Sequence, residues 1–356
     1  MSNNFSGEKN LIVGITDTLL PPATIEQTAF PEAEFVFLSD WRENRENQGD
    51  WKHVDAILVW QWKVDRATVE LMDRCKIVAC YSVGFDHVDI EALAERDIPL
   101  CNNPAYGTEE VADTASAMIL SLQRKILRYD RTCRENPEAW QGTSLLKPFR
   151  RTSGQALGII GVGRIGTAVV NRMKPFGYRI LGYDPYQPSG HEKAVGYIRV
   201  DSLEELLREA DIVSIHCPLT TETRGMVDRG FFRLMRQGSS LVNTARGAIL
   251  ADFDCLEEAL QSGHLASAAL DVLPEEPPTD HPLIQAWRED EPWLSGRLLV
   301  NPHSAFHSED ASYEQHFKAA ETVRLYLMEG RLRNGIEPGS YYADQTPHSD
   351  KSDCEL

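Results

Sequence analysis

The stretch Leu157-Gly-Ile-Ile-Gly-Val-Gly-Arg-Ile-Gly166 decides the fold, because its glycines follow the spacing G-x-G-x-x-G at Gly161, Gly163 and Gly166. An apolar run at 156–160 precedes them and a helical pattern follows, which predicts a strand, a tight turn and a helix. Gly161 would permit the turn, Gly163 would let the backbone approach a phosphate, and Gly166 would allow close packing of helix on strand. Alone the pattern is weak, because glycine-rich turns that bind nothing are common.

The residues after the glycines offer groups suited to a dinucleotide. Arg164 and Ile165 open the predicted helix, whose first N–H groups and positive dipole end favour phosphate. The next predicted strand ends in Asp184, which can accept hydrogen bonds from the ribose hydroxyls of adenosine. Its charge would repel the 2′-phosphate of NADP, and the next two residues include no arginine. These features predict NAD(H) as the cofactor, preferred over NADP(H).

Short apolar runs alternate with helical patterns along the chain, which predicts parallel sheets covered by helices on both faces. One series leads into a long predicted helix, Thr108–Arg134, and a second starts at Gln155 and ends with the helix Ser308–Gly330. The polar stretch 135–151 predicts a crossing between domains. The predicted strands are 11–16, 34–38, 56–60, 77–82, 99–102, 156–160, 179–183, 212–216, 239–243, 267–270 and 298–300, and the shorter predicted helices are 163–174, 203–209, 229–235 and 253–263.

Charged side chains stand after three later strands, at the edge where such sheets bind ligands. Arginine (Arg246) matches a carboxylate with its fork, histidine (His303) moves protons near neutral pH, and a carboxylate (Glu276) would orient the histidine and stabilise its imidazolium. Together they predict hydride transfer between nicotinamide and a 2-keto or 2-hydroxy acid. Taken singly, they could be an ion-pair partner, a turn cap and a loop charge. Thr244 and Ala245 are further candidates for contacting the cofactor.

Composition argues against other classes of protein. The 356 residues are 42% hydrophobic and 25% charged, and the net charge of −18 with a pI near 5.0 would repel nucleic-acid phosphates. No apolar run approaches the roughly 18 residues of a membrane helix, and the N-terminus lacks a signal-peptide core. We therefore expect a cytoplasmic protein without direct nucleic-acid or membrane partners. Seven scattered cysteines without a C-x-x-C pair favour reduced thiols over a metal site.

The sequence at this point resembles the D-isomer-specific 2-hydroxyacid dehydrogenase family. Within the family it is most similar to the branch of the C-terminal-binding proteins, which are NAD-binding transcriptional corepressors. The resemblance runs in family order over about residues 75–310. The matching stretches are 84–89 (Gly-Phe-Asp-His-Val-Asp), 101–104 (Cys-Asn-Asn-Pro), 158–166, 183–186 (Tyr-Asp-Pro-Tyr), 216–219 (His-Cys-Pro-Leu), 243–247, 268–277 and 301–306.

The resemblance implies an α/β fold of two doubly wound domains, with a Rossmann NAD-binding domain inserted into a flavodoxin-like substrate domain. The substrate domain would comprise residues 1–120 and 308–345, and the cofactor domain would comprise residues 121–307. Family members usually dimerise through their cofactor domains, so a homodimer is expected, and the long acidic loop 277–297 could shape the cleft or the dimer. The polar end 346–356 is predicted to be disordered.

The resemblance also implies an activity, the interconversion of a D-2-hydroxy acid and a 2-keto acid with NAD, and a role for individual residues. A second function that it leaves open is that of an NAD(H)-responsive dimeric scaffold like the corepressors. The implied roles are substrate binding for Arg246, acid/base chemistry for His303 with Glu276 as its partner, cofactor contacts for Cys217, Pro218 and Asp271, and capture of the substrate carboxylate by backbone amides of Val83 and Gly84.

The stretch Cys80-Tyr-Ser-Val-Gly84 departs from the family, which often reads R-x-G-x-G there. With Cys80 for arginine and Ser82 for glycine, the substrate pocket could lose a positive charge and gain Tyr81 or Ser82 as a wall. Cys80 could equally be an ordinary residue of a core strand. Phe306 stands where the corepressors have tryptophan. Tyr81, Ser82 and Phe306 are therefore expected to contact the substrate.

Overall fold

The computed structural model describes residues 11–16, 23–38, 51–136, 140, 149–278 and 280–338. The chain divides into two compact units, the first formed by Met1–Tyr106 with Ser308–Leu356 and the second by Gly107–His307. The terminal stretch predicted to be disordered, 346–356, lies outside the described residues. No helix in the described part is both long and apolar enough to cross a membrane.

Strands and helices alternate in both units. The described strands are β1 (Leu11–Ile15), β2 (Ala33–Phe37), β3 (Ala56–Val59), β4 (Val78–Cys80), β5 (Leu100–Cys101), β6 (Ala156–Ile160), β7 (Arg179–Tyr183), β8 (Ile198–Arg199), β9 (Ile212–Ile215), β10 (Ser239–Asn243), β11 (Leu265–Leu270), β12 (Leu298–Val300) and β13 (Gly335–Ile336). The described α-helices are α1 (Thr24–Ala29), α2 (Arg66–Glu70), α3 (Ile90–Ala94), α4 (Thr108–Arg124), α5 (Ile126–Glu135), α6 (Arg164–Met173), α7 (His191–Val195), α8 (Leu203–Glu209), α9 (Arg229–Leu234), α10 (Phe253–Gln261), α11 (Pro282–Arg288) and α12 (Glu309–Glu329).

Each unit contains one sheet with the strand order of a doubly wound fold. In the second unit the order is β12-β11-β10-β9-β6-β7-β8, all parallel, which is the Rossmann order. In the first unit it is β13-β5-β4-β3-β1-β2, the flavodoxin-like order with β13 added antiparallel at one edge. The predicted α/β fold of two doubly wound units is therefore confirmed.

Burial on both faces explains why the central strands are continuously apolar. Every residue of β3, β6 and β9 is buried, as parallel sheets covered by helices require. In the second unit two apolar clusters fill the opposite faces of the sheet, and α4, α6 and α8 contribute to them. This packing fixes the carboxyl ends of β6, β7, β9, β10, β11 and β12 along one edge.

The single long helix predicted at 108–134 is wrong. Lys125 adopts a left-handed backbone conformation with φ 56°, which separates α4 from α5. α4 buries one face against α6 and the strands β9 to β11, whereas α5 buries no residue. Because α4 packs there, the boundary between the units falls at 106/107 rather than at the expected 120/121. The loop 277–297 also contains an unpredicted helix, α11.

Candidate active site

The glycine-rich turn links β6 to α6 at the carboxyl edge of the second sheet. Gly161 has φ +85°, and a Cβ there would lie 2.5 Å from the backbone nitrogen of Cys217. A Cβ on Gly166 would lie 2.0 Å from the carbonyl oxygen of Gly161, so only glycine lets the helix start this close to the strand. At Gly163, by contrast, a Cβ would meet no atom within 4 Å. The backbone there is open to an approaching ligand, as a pyrophosphate site requires.

Asp184 lies directly after β7, beside the glycine-rich turn. Its Oδ2 accepts a hydrogen bond from the Val162 N–H at 2.8 Å, and its Oδ1 accepts one from the Tyr186 N–H at 3.0 Å. These two bonds hold the carboxylate at the edge of the sheet where a ribose would lie in a dinucleotide fold.

Buried polar atoms collect where β9 and β10 end. The Nδ1 atom of His216 and the Oγ1 atom of Thr244 are buried and have no hydrogen-bond partner within the described residues. Burial lowers the pKa of His216 to about 3, so its ring is neutral, with Nε2 2.8 Å from the Ser214 hydroxyl. Burial also raises the pKa of the Cys217 thiol to about 12, so this cysteine contributes shape rather than reactivity. These unpaired buried polar atoms lie at the same sheet edge as the glycine-rich turn and fit a polar cofactor.

Arg246 is presented by a tight turn after β10. The Asn243 side chain accepts from the Ala245 N–H and donates to the Arg246 carbonyl, both at 3.0 Å, which fixes the turn. The Arg246 guanidinium donates to the Ala245 carbonyl at 2.8 Å. A Cβ on the following Gly247 would lie 1.7 Å from the Leu273 carbonyl oxygen, so glycine is required where this turn meets the one after β11.

Glu276 and His303 form a hydrogen-bonded pair beyond β11 and β12. His303 Nδ1 lies 2.7 Å from Glu276 Oε2, and Glu276 Oε1 accepts from the Leu273 N–H at 2.7 Å. Burial acts to raise the pKa of Glu276, but the hydrogen bond and charge of His303, with a further contribution from Arg246, lower it overall. Glu276 is therefore ionised near neutrality, and as an acceptor it keeps a proton on Nδ1 of His303. The other ring nitrogen, Nε2 of His303, remains available for proton transfer.

The backbone around His303 is constrained as well. His303 has φ 52°, a left-handed conformation that non-glycine residues rarely adopt and that often marks functional sites. Its N–H donates to the Asp271 carbonyl at 2.8 Å, and the Asp271 carboxylate accepts from the N–H groups of Ser304 and Ala305 at 3.0–3.1 Å. Burial nevertheless raises the pKa of Asp271 against these bonds. The aspartate thus ties the strand end of β11 to the loop that carries the histidine.

The 82–84 segment, which lies in the first unit, has its carbonyl groups bonded and its backbone N–H groups without protein acceptors in the described part of the chain. The carbonyl oxygens of Ser82, Val83 and Gly84 accept bonds from the Asn103 N–H (3.0 Å), the Asn102 side chain (2.8 Å) and the Ser82 hydroxyl (2.6 Å), respectively. The N–H groups of these three residues donate to no acceptor among the described residues. Successive N–H groups without a protein acceptor are available to bind a carboxylate or phosphate.

Three further residues singled out in the sequence have different surroundings. Tyr81 is completely buried and its hydroxyl donates to Glu26, so its ring lies in the interior rather than forming a pocket wall. Cys80 is a buried core residue of β4. Phe306 lies in the second unit with its ring edge-on to His307, 6.3 Å between centroids. Glu26 escaped the sequence analysis, because an acid on a short helix carries no local signal of burial.

One group of side chains in the described residues has the spacing of metal ligands, Asp254, Glu257 and His281. His281 Nδ1 accepts a bond from the Leu283 N–H and so caps α11. The ring proton of the neutral imidazole is then on Nε2, 3.0 Å from an Asp254 carboxylate oxygen. Both nitrogens are thereby used, and the group is explained as a helix cap rather than a metal centre.

Comparison with known proteins decides the family. The model of the D-isomer specific 2-hydroxyacid dehydrogenase NAD-binding domain matches residues 116–305, more than half of the chain. This chain belongs to that family. It is an NAD-dependent oxidoreductase of D-2-hydroxy acids, as the relatives indicate and the sequence analysis predicted.

Three relatives of this dehydrogenase show how far the similarity extends. The glyoxylate reductase of Korarchaeum cryptofilum is 38% identical over 268 residues, 74% of this chain and 76% of that protein. The D-3-phosphoglycerate dehydrogenase of Methanocaldococcus jannaschii is 34% identical over 80% of this chain, which spans only 52% of that longer protein. The D-lactate dehydrogenase of Aquifex aeolicus, solved with NAD and lactic acid, is 26% identical, with a TM-score of 0.76 over 92% of this chain and all of that one.

Proposed function

We propose that the dehydrogenase reduces a small 2-keto acid with NADH, using Arg246, Glu276 and His303 as its catalytic residues. The observation that carries this proposal is the 2.7 Å pair of His303 and Glu276 at the sheet edge that bears the glycine-rich turn. Steady-state oxidation of NADH by the purified protein, with a panel of 2-keto acids, tests the proposal.

NADH, when bound, supplies the hydride that reaches the 2-carbon of the keto acid. His303 donates the proton that the carbonyl oxygen takes up, from the Nε2 position, because Glu276 holds Nδ1. The charge of Glu276 stabilises the imidazolium before this transfer. Arg246 binds the substrate carboxylate and polarises the adjacent carbonyl group. In the oxidation direction the same groups act in reverse, with His303 accepting the hydroxyl proton.

The cofactor would lie along the carboxyl edge of the sheet in the second unit. The open backbone at Gly163 and the start of α6 would take the pyrophosphate, and Asp184 would take the adenosine ribose. The buried, unpaired atoms His216 Nδ1 and Thr244 Oγ1 support further contacts with the cofactor at the ends of β9 and β10. The proposed cofactor-binding residues are Gly161, Gly163, Arg164, Ile165, Gly166, Asp184, Cys217, Pro218, Thr244, Ala245 and Asp271.

In the first unit, the 82–84 loop is proposed to bind the substrate carboxylate. In the second unit, Arg246 and Phe306 are proposed to contact the substrate. Three N–H groups without protein acceptors suit a carboxylate, which every 2-keto acid carries. Tyr81 precedes this loop, and its ring is buried, so the proposed substrate contact does not extend to this side chain. The first unit is accordingly proposed as the substrate domain and the second as the cofactor domain.

A preference for NADH over NADPH is proposed from Asp184. Replacing Asp184 by asparagine keeps one acceptor oxygen, for the Val162 N–H, gives up the bond from the Tyr186 N–H, and removes the charge that repels a 2′-phosphate. Arg199 donates to the backbone of the same loop. The ratio of kcat/KM for NADPH to that for NADH should rise at least about tenfold. Asp201→Asn, at an exposed position in the same unit, is the control. An unchanged ratio in the Asp184 variant would remove the electrostatic basis of the preference.

The Glu276–His303 pair should also make stability depend on pH. The pKa of Glu276 is below its ordinary value of 4.5, so the pair stabilises the fold above that value and ceases to do so as pH falls through the lowered pKa. Glu276→Gln should therefore lower the free energy of unfolding at pH 7, and its difference from wild type should shrink below pH 4.5. Urea titrations measure this. Glu204→Gln, which breaks an exposed pair with Arg208, should show little such dependence.

A homodimer formed through the second unit is part of the proposal. α5 buries none of its residues, and Ile126 and Leu127 are 52% and 41% exposed. Beside them lies a groove of about 610 Å³ formed by α5 and the loop that contains α11, with Trp287 and Leu294 among its lining residues. A second copy of the chain would bury Ile126 and Leu127, and the groove, which also has charged lining residues, would receive part of that copy. Light scattering distinguishes the dimer from a monomer.

A second candidate function follows from the resemblance to the C-terminal-binding corepressors, namely an NAD(H)-responsive scaffold. The motifs in residues 75–310 support it, since the same site residues suit an NAD-binding protein without turnover. Tight NADH binding with no reduction of any 2-keto acid would favour this candidate.

We also propose a cytoplasmic location, in keeping with free thiols at Cys75, Cys80, Cys101, Cys133, Cys217 and Cys255.

A further inference from the structure

A buried carboxylate lies beneath the proposed substrate loop, in the interior of the first unit. Glu26, on α1, is 2% exposed. Its Oε1 accepts a hydrogen bond from the Tyr81 hydroxyl at 2.8 Å and lies 2.5 Å from His316 Nδ1 on α12. Tyr81 itself is 0% exposed, and its ring lies 5.0 Å from that of His316.

This carboxylate is charged despite its burial. Burial acts to raise the pKa of Glu26, but the hydrogen bond and charge of His316 and the hydroxyl of Tyr81 lower it overall. An ionised carboxylate accepts only, so His316 Nδ1 and the tyrosine hydroxyl are both donors. Hydrogen bonds to a charged acceptor are about twice as strong as neutral ones, so the tyrosine is held firmly.

The tyrosine is the link between this carboxylate and the loop. Tyr81 is the last residue before Ser82–Gly84, and its backbone N–H is fixed to the Val59 carbonyl at 2.8 Å. α12 also reaches the other side of the loop, because the Asn103 side chain donates to the Gln315 carbonyl and the Asn103 N–H binds the Ser82 carbonyl, both at 3.0 Å. The loop is thus tied to α1 and α12 at its base and to α12 again along its length.

We propose that Glu26 and His316 are positioning residues for the substrate: through the Tyr81 hydroxyl they hold the Ser82–Gly84 loop so that its N–H groups can bind the substrate carboxylate. This inference rests on the proposed function of the loop. A cluster that served only the stability of the first unit would leave substrate affinity unchanged once the protein is folded. A positioning cluster must change the KM for the keto acid more than kcat.

The decisive variant is Tyr81→Phe, which removes one oxygen and keeps the ring. With glyoxylate as the keto acid, the KM should rise roughly tenfold, since one charge-assisted hydrogen bond is lost, while kcat should change less than about threefold. The dissociation constant for NADH should stay at the wild-type value. Tyr178→Phe is the matched control, because that buried hydroxyl has no partner within the described residues.

Glu26→Gln should raise the KM in the same direction, and the double variant with Tyr81→Phe should be no worse than about the larger single effect. Additive effects would mean that the two residues act separately and would overturn the linkage. If Glu26→Gln does not fold, Tyr81→Phe alone still decides the matter, because an unchanged KM in that variant contradicts the proposal.

Amide hydrogen exchange separates this inference from the proposed function. The amides of residues 81 and 103, which donate to the Val59 and Ser82 carbonyls, should exchange at least about tenfold faster in Tyr81→Phe than in wild type and Tyr178→Phe, whether or not glyoxylate is turned over. A wild-type protein that reduces no keto acid would refute the proposed function. The exchange rates would still test whether Glu26 and His316 hold the loop through Tyr81. Exchange rates that are the same in all three proteins would overturn the proposed positioning of the loop by Glu26 and His316.

Discussion

Replacing His303 by asparagine is expected to lower kcat for keto-acid reduction by roughly 10² or more, the usual contribution of a general acid. Asparagine is the better replacement than alanine, because it tolerates the left-handed backbone at φ 52° and cannot donate a proton of suitable acidity. Binding of NADH, followed by fluorescence, should be unchanged, since the role proposed for His303 is proton transfer to the substrate. The loss should be in kcat, with a small change in KM.

The control for this variant is His264→Ala, a histidine of the second unit whose ring lies 2.9 Å from the Met235 carbonyl oxygen, outside the site. Its kcat should remain within about twofold of wild type. A His303→Asn enzyme that keeps its kcat would contradict the assignment of His303 as the proton donor, and the acid would then have to be sought elsewhere in the site.

Replacing Arg246 should have an effect as large as that of replacing His303, but mainly on KM rather than on kcat. Arg246→Ala leaves the substrate carboxylate without its charged partner, a loss of about 2–5 kcal/mol, so kcat/KM should fall by roughly 10² or more. Arg246→Lys should recover only part of this, because an ammonium group cannot bind a carboxylate through two parallel bonds. The KM should rise strongly in both variants.

Arg229→Lys is the matched control, since Arg229 forms an exposed pair with Glu258 in the same unit and should tolerate lysine. The result that would exclude Arg246 from substrate binding is a kcat/KM for Arg246→Ala equal to that of this control. A loss confined to NADH binding would instead assign the arginine to the cofactor.

Much of the site could be predicted because its signals are local. The glycine spacing needs only a strand before it and a helix after it, and the structure has β6 and α6 there. Arg246, Glu276 and His303 each follow a strand whose residues are buried or partly buried, and parallel strands bring their carboxyl ends to one edge. The pairing of Glu276 with His303 was predicted from the chemistry of the two residue types and again from the resemblance, and the structure brings the two together.

The features that the sequence analysis missed are either stabilised by contacts between residues distant in sequence or are helices of only a few residues. Glu26 meets Tyr81 and His316 across 55 and 290 residues of chain, so no local pattern could place it in the core. The break at Lys125 arises because α4 is held by tertiary packing and α5 is not. The short helices α2 and α3 had a usable signal, since Asp65 and Asp89 cap them.

The most direct test of the account is the oxidation of NADH by the purified protein with glyoxylate, hydroxypyruvate, pyruvate and larger 2-keto acids, repeated with NADPH, with the configuration of each chiral product determined. The account predicts steady turnover of at least one class, faster with NADH, and a D-2-hydroxy acid as the product. Tight binding of NADH without turnover of any of these acids, or formation of the L product, would contradict it.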